Sequence, residues 1–168
     1  MANKGFTLIE MMITVAIAAL LLTTAIPSFQ ALITNNRLST QANAFIGALQ
    51  LARSEAIKRN LNVTVCQSGD EQNCSNNASG FEQGWIVFVD QNNSNTRDDG
   101  EAIINTKQAM PQGMSLNGGG PIRYRAAGTV APVNNPTLYL CQQGNNNGRN
   151  IVISRTGRVR VKPVQNCP

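Results

Sequence analysis

The residues best placed to do chemistry lie near the C-terminus. Arg158, Arg160 and Lys162 alternate with Val159 and Val161. On a strand, alternate residues share a face, so the three cations form an outward row at steps of about 7 Å, with both valines turned inward. Arg155 lies across the Thr156-Gly157 turn and joins them. The wider context is one-sided. Residues 102–168 hold no acid, against Lys107, Arg123, Arg125, Arg149, Arg155, Arg158, Arg160 and Lys162. Residues 61–101 hold Asp70, Glu71, Glu82, Asp90, Asp98, Asp99 and Glu101, with Arg97 as their sole base. A basic, acid-free block within a chain of net charge +5 is an electrostatic footprint for a polyanion. A nucleic-acid backbone is such a polyanion, and contacts to its phosphates bind without reading sequence. Trp85, Tyr124 and Tyr139 are the aromatics available for base stacking, and each also suits a core position. The same charges fit an acidic protein subunit or anionic lipid headgroups. Basic residues on an edge strand also deter aggregation.

Catalysis is poorly provided for. The chain has no histidine, the commonest general base and metal ligand. Nucleophilic triads lose their usual base with it. The sequence therefore predicts a protein that is not an enzyme and holds no cofactor. One loop has the pattern of a cation site. Asp90, Asn92, Ser94, Asp98 and Glu101 stand at positions one, three, five, nine and twelve of an EF-hand-like loop, but position six is Asn95 instead of glycine. Its flanks read as strands, so the expectation is an Asx-rich hairpin loop and no metal.

Cys66, Cys74, Cys141 and Cys167 contain no C-x-x-C pair, which argues against a zinc knuckle and for disulfides in an oxidising compartment. Four cysteines allow three connectivities. The nearest-neighbour set, Cys66–Cys74 and Cys141–Cys167, is the one expected, because its second bridge ties down the C-terminal tail.

The elements that must carry these residues begin with an anchor. No charged residue occurs between Met11 and Asn36. The apolar run 6–26 matches the roughly 20 residues needed to span a bilayer. Lys4 ahead of it predicts a cytoplasmic N-terminus and an exported C-terminus. Glu10 is the anomaly, since a carboxylate in such a run costs about 2.5–3.5 kcal/mol. A cut between Gly5 and Phe6 would create a free amine four residues before Glu10. A neighbouring subunit, shifted along the helix axis, can offer that amine to Glu10 and neutralise both charges.

The segment Lys4-Gly5-Phe6-Thr7-Leu8-Ile9-Glu10 resembles the class III signal of type IV pilins and type II secretion pseudopilins. That resemblance implies cleavage after Gly5 by prepilin peptidase, N-methylation of Phe6, and a part for Glu10 in filament assembly.

Further along, Leu38, Ala42, Phe45, Leu49, Ala52 and Ala56 recur at steps of four and three, one apolar stripe on an amphipathic helix. Glu55 with Lys58 and Arg59 gives charge pairs on the wet side. Pro27 is expected to kink or break the helix locally. Strands are predicted at 62–66, 85–90, 101–108, 122–125, 137–141, 150–154 and 158–162. The Asn- and Gly-rich stretch 142–148 reads as a loop.

Residues 52–60 and 84–90 resemble the FimT and GspH branch of minor pilins and pseudopilins, and the likeness extends loosely over nearly the whole chain. It implies an α+β type IV pilin fold, a long N-terminal α-helix packed on a small antiparallel β-sheet head. The expected division is a leader at 1–5, a transmembrane and filament-core helix at 6–29, an amphipathic helix at 30–60 and a β-rich head at 61–168. Gly157-Arg158-Val159-Arg160 resembles the GRxR motif of FimT-type minor pilins of naturally competent bacteria. That implies DNA capture at a pilus, with Arg158 and Arg160 as the motif arginines and Arg155, Lys162, Arg149 and Lys107 as supporting cations. The expected partners are DNA, other pilin subunits, the inner membrane before assembly, and prepilin peptidase. The expected location is an inner-membrane single-pass anchor with an exported head, then an extracellular filament. The alternative is a structural subunit that serves assembly without DNA.

Overall fold

The computed structural model describes residues 5–75, 80–131, 136–144, 146–165 and 167. Residues 1–4, in the segment expected to be a leader, lie outside them.

One α-helix, α1, runs over Leu8–Arg59. The chain divides into two compact units between Arg37 and Leu38. In the first unit the apolar side chains of α1 are exposed, among them Leu8, Ile13, Leu20, Ile26 and Phe29. This stretch is long and apolar enough to cross a membrane. Pro27 lies inside α1 and does not end it. Proline removes one donor, and the flanking turns, rich in Ala, Leu and Ile, keep the helix going.

In the second unit, burial begins at Leu38. The whole expected stripe of Leu38, Ala42, Phe45, Leu49, Ala52 and Ala56 is buried, and Ala48 with it. Ala42, Ala48, Ala52 and Ala56 keep this face of the helix slim between the larger Leu38, Phe45 and Leu49. Phe45 anchors the packing, edge-on to Phe81 at 4.9 Å and to Trp85 at 5.1 Å. Burying such a ring contributes about 1.5–3 kcal/mol, and edge-on ring pairs add about 0.5–1.5 kcal/mol. On the wet side Glu55 meets Lys58 and Arg59.

Among the described residues eight strands follow: β1 Val63–Gln67, β2 Trp85–Val89, β3 Ile103–Lys107, β4 Met114–Asn117, β5 Ile122–Tyr124, β6 Thr137–Gln142, β7 Asn147–Ile153 and β8 Val159–Gln165. They form two four-stranded antiparallel sheets, ordered β3-β2-β1-β5 and β4-β6-β7-β8. The fold is the expected long helix on antiparallel sheet, with two sheets where one was read. Both sheets and the helix share one core that includes Val65, Val87, Leu116, Tyr124, Leu140 and Ile151.

Three local differences from the sequence reading stand out. Strand β4 was not expected, because Met-Ser-Leu-Asn has no β-branched residue and only four positions. Residues 147 and 148, read as loop, belong to β7. Strand β8 continues through Pro163, which an edge strand tolerates because a backbone nitrogen turned away from the sheet has no partner to lose.

Loops 68–75 and 90–101 follow β1 and β2, whose Cys66, Ile86 and Phe88 form a small cluster with Cys74 packed against it. Arg97, the lone base of the acidic half, joins them. Its Nη1 donates to the Gln72 carbonyl at 3.2 Å and its Nε to the Glu101 carbonyl at 3.1 Å. The Cys66–Cys74 and Cys141–Cys167 disulfides are both present, as expected.

Candidate nucleic-acid interface

The basic row is presented by a hairpin. Strands β7 and β8 pair from Ile153↔Val159 to Asn147↔Gln165. The loop is Arg155-Thr156-Gly157. The Gly157 N–H donates to the Ser154 carbonyl at 2.8 Å, and the Ser154 N–H to the Arg158 carbonyl at 2.9 Å. Gly157 has φ 77°, the left-handed conformation that a three-residue hairpin loop requires at its last position. The Ser154 hydroxyl tightens the turn, accepting the Arg158 N–H at 3.2 Å.

Residues directly opposite on antiparallel strands share a face. Val159 pairs with Ile153 and Val161 with Ile151, both buried on the core side. Arg160 pairs with Val152 and Lys162 with Asn150, on the opposite, solvent side. Arg158, Arg160 and Lys162 are all exposed, as is Arg155 in the turn. Among the described residues, no ion pair involves any of these four. The inward reading of the valines needs one correction. Val159 packs against the core, but Val161 is 39% exposed, because β8 is the sheet's edge and only one neighbour covers it.

The other two supporting cations sit elsewhere. Arg149 pairs with Leu140 and Pro163, so it lies on the core side of the sheet, not in the row, and its Nη1 donates to the Gly148 carbonyl at 3.2 Å. Lys107 ends β3, the edge strand of the other sheet. Arg123 is spent internally. Its Nη1 donates to the Asn93 carbonyl at 2.6 Å and lies 3.9 Å from the buried Asp90 carboxylate. The hairpin thus brings together Arg155, Arg158, Arg160 and Lys162, and leaves Arg149 and Lys107 apart.

Of the three aromatics weighed for stacking, Trp85 and Tyr124 are buried in the core. Tyr139 is not. It pairs with Asn150 and Asn117, and so shares the solvent face with Lys162 and Arg160. Burial pushes the Tyr124 phenol up to about 12, and the Arg53 charge opposes the shift.

The 90–101 loop is built as an Asx-rich turn. Asp90 Oδ2 accepts the Thr64 hydroxyl at 2.8 Å and the Asn95 N–H at 3.2 Å. Glu101 accepts the Gln91 N–H at 2.8 Å and the Asp98 N–H at 3.0 Å. Asn95 takes φ 64°, the left-handed conformation that asparagine tolerates.

At the other end of the chain, Thr7 and Glu10 form a capping box, a pattern legible as Thr-x-x-Glu but overlooked in the sequence reading. The Glu10 N–H donates to Thr7 Oγ1 at 3.3 Å, and Glu10 Oε2 accepts the Thr7 N–H at 3.3 Å. A helix N-terminus carries orphan N–H groups and partial positive charge, so a carboxylate there is locally stabilised.

A membrane-length apolar helix joined to a disulfide-bonded head of two antiparallel sheets defines a type IV pilin-like protein, anchored in the inner membrane with its head exported. Residues 41–157 match the family model of type II transport protein GspH, and residues 1–26 that of the prokaryotic N-terminal methylation motif. The chain belongs to the GspH family. Pilin-like protein PilA1 of Thermus thermophilus is 31% identical over 172 residues, covering 96% of this chain and 100% of that protein. The type IV minor pilin FimU of Pseudomonas aeruginosa superposes with TM-score 0.63 at 22% identity, over 80% of this chain and 98% of that one. The minor pseudopilin EpsH of the type 2 secretion system of Vibrio cholerae gives TM-score 0.52 at 16% identity, over 75% and 96%.

Proposed function

We propose that this chain is a minor type IV pilin that binds extracellular DNA, without sequence preference, for uptake in natural transformation. One observation carries the reading. Arg160 and Lys162 lie on the solvent face of the edge strand β8, with exposed Arg158 just ahead of it and Arg155 in the turn, and among the described residues no carboxylate pairs with any of the four. Their spacing of about 7 Å suits a repeating phosphate backbone better than one small anion. Prepilin peptidase acts between Gly5 and Phe6, Phe6 is then methylated, and Glu10 meets the Phe6 amine of a neighbouring pilin subunit in the filament.

The test uses the full chain in micelles of a non-ionic detergent. Affinity for a labelled DNA is followed by fluorescence anisotropy against salt, for the native chain and for the Arg158→Gln/Arg160→Gln variant. Each phosphate contact adds about 0.9 to the slope of log affinity against log salt on duplex DNA, so the double variant is expected to lose close to 2. No DNA binding, or binding that the variant leaves unchanged, sinks the proposal. That outcome favours a second reading, in which the subunit serves filament assembly alone. The placement of the cations on an unpaired edge supports it, because charge there blocks unwanted strand addition.

A further inference from the structure

We infer that the solvent face of the β4-β6-β7-β8 sheet is a platform for single-stranded DNA, with Tyr139 receiving a base while the β8 cations hold the backbone. The inference rests on the DNA reading above and adds the form of DNA and the residue that distinguishes it.

The strand registers place the parts. Asn117, Tyr139, Asn150 and Lys162 form one cross-strand row over the four strands, and Thr137, Val152 and Arg160 form the next. All lie on the side away from the core. Neighbouring strands are about 4.8 Å apart, so the backbones at Tyr139 and Lys162 are separated by about 10 Å. A phosphate held at the end of the Lys162 side chain leaves its sugar and base directed across Asn150 toward the tyrosine ring. Arg160 and Lys162 on β8, with Arg158 just ahead of it, form one line that can follow a single backbone.

Tyr139 is the ring available for this. Phe45, Phe81, Trp85, Phe88 and Tyr124 are at most 1% exposed. Tyr139 alone among the described aromatics of the head is partly open to solvent. Every base has a π face, so stacking on one tyrosine carries no sequence preference. The face holds no carboxylate in either row, which suits an anionic chain laid across it. In a duplex the base faces are covered by their neighbours in the stack. A duplex can use the cations but gains nothing from Tyr139.

Three ligands of equal length separate these contributions: labelled oligothymidylate, the same backbone made abasic, and a blunt duplex. They are titrated into the full chain in detergent micelles. The native chain is expected to bind oligothymidylate about 5- to 150-fold more tightly than the abasic strand, the range for one stacked base. Tyr139→Leu removes that difference and leaves duplex binding unchanged, whereas Tyr139→Phe keeps it. If Tyr139→Leu binds oligothymidylate like the native chain, or if the abasic strand binds as well as the natural one, the platform is overturned while phosphate binding survives. If none of the three ligands binds, or if Arg158→Gln/Arg160→Gln changes nothing, the underlying DNA reading fails and this inference with it.

Discussion

Gly157 abuts Gly128. A Cβ on Gly157 would collide with the Gly128 carbonyl oxygen, and would lie 3.0 Å from Arg53 Nε and 3.1 Å from Tyr124 Cε1. The turn that presents the arginines is therefore seated on the 125–128 turn, on the helix and on a core tyrosine. The glycine that begins the Gly-Arg-x-Arg segment is a packing device as well as a turn residue.

Gly157→Ala is accordingly expected to destabilise the head by about 1–3 kcal/mol, through strain at positive φ plus the clash. For a domain of this size each kcal/mol lowers Tm by about 3–5 °C. Thermal unfolding followed by circular dichroism reads the change. A melting curve equal to that of the native chain contradicts this account of the turn.

Asp90 offers a second test. Its carboxylate is fully buried, accepts the Thr64 hydroxyl, and faces Arg123. Removing one partner of a buried charge pair costs about 3–5 kcal/mol, because the other is left uncompensated. Asp90→Ala is expected to fall in that range by urea unfolding, and Asp90→Ala/Arg123→Met to recover part of the loss. A double variant no better than the single one shows that the pair is not coupled.

Tyr124 sets an alkaline limit. Its folded phenol is pushed up to about 12, from an ordinary value of 10.0. The folded state keeps its proton where the unfolded state gives it up. This contribution is complete below about pH 10 and is lost as pH rises toward 12. Tyr124→Phe removes the phenol, whose oxygen is buried without a hydrogen-bond partner. The phenylalanine variant is expected to gain on the native chain steadily from pH 9 to pH 11 in urea midpoint. A gap that stays constant over that interval rejects the assignment.

Asp70 works in the opposite direction. The Asn73 backbone N–H, the Asn73 side chain, the Gln72 N–H and the Ser68 hydroxyl hold its carboxyl well below the ordinary 3.8. Its folded pKa is depressed, so its contribution is present above about pH 4 and fades as pH falls below that. Asp70→Ala is expected to flatten the acid limb of the stability curve and to loosen the 68–75 loop, read by hydrogen exchange at Gln72 and Asn73.

Glu10 has two separable properties, and one substitution parts them. Glutamine is accepted at the third position of a capping box, so Glu10→Gln keeps the Thr7 contacts while removing the charge. If Glu10 answers the amine of a neighbouring subunit, Glu10→Gln enters the membrane normally but is under-represented in sheared filaments. Equal incorporation leaves the cap as its whole role.

Much of this was legible because local chemistry and fold agree. The stripe from Leu38 to Ala56 has one helical period, and all six residues are buried. Seven strands carry β-branched or aromatic runs and lie where expected, within a few residues at their ends. What escaped notice depends on partners distant in sequence. Met114–Asn117 becomes a strand because β6 is there to receive it. Arg149 looks like a member of the basic block, and only the register with Leu140 puts it on the core side. Val161 has the right parity to be buried, but parity cannot show that β8 has a neighbour on one side alone. Tyr139 was an ambiguous ring until that same register placed it beside Asn150.

The hairpin that bears the cations is fastened at both of its extremities. At one lies the turn wedged by Gly157, and at the other the Cys141–Cys167 bridge joins β6 to the residues that follow β8. A marginal strand pulled from a loose end peels, one hydrogen bond failing after another. Here that end is tied covalently to an interior strand, so peeling of β8 cannot begin there. The basic hairpin is thus held at its turn by packing and at its far end by a covalent bond.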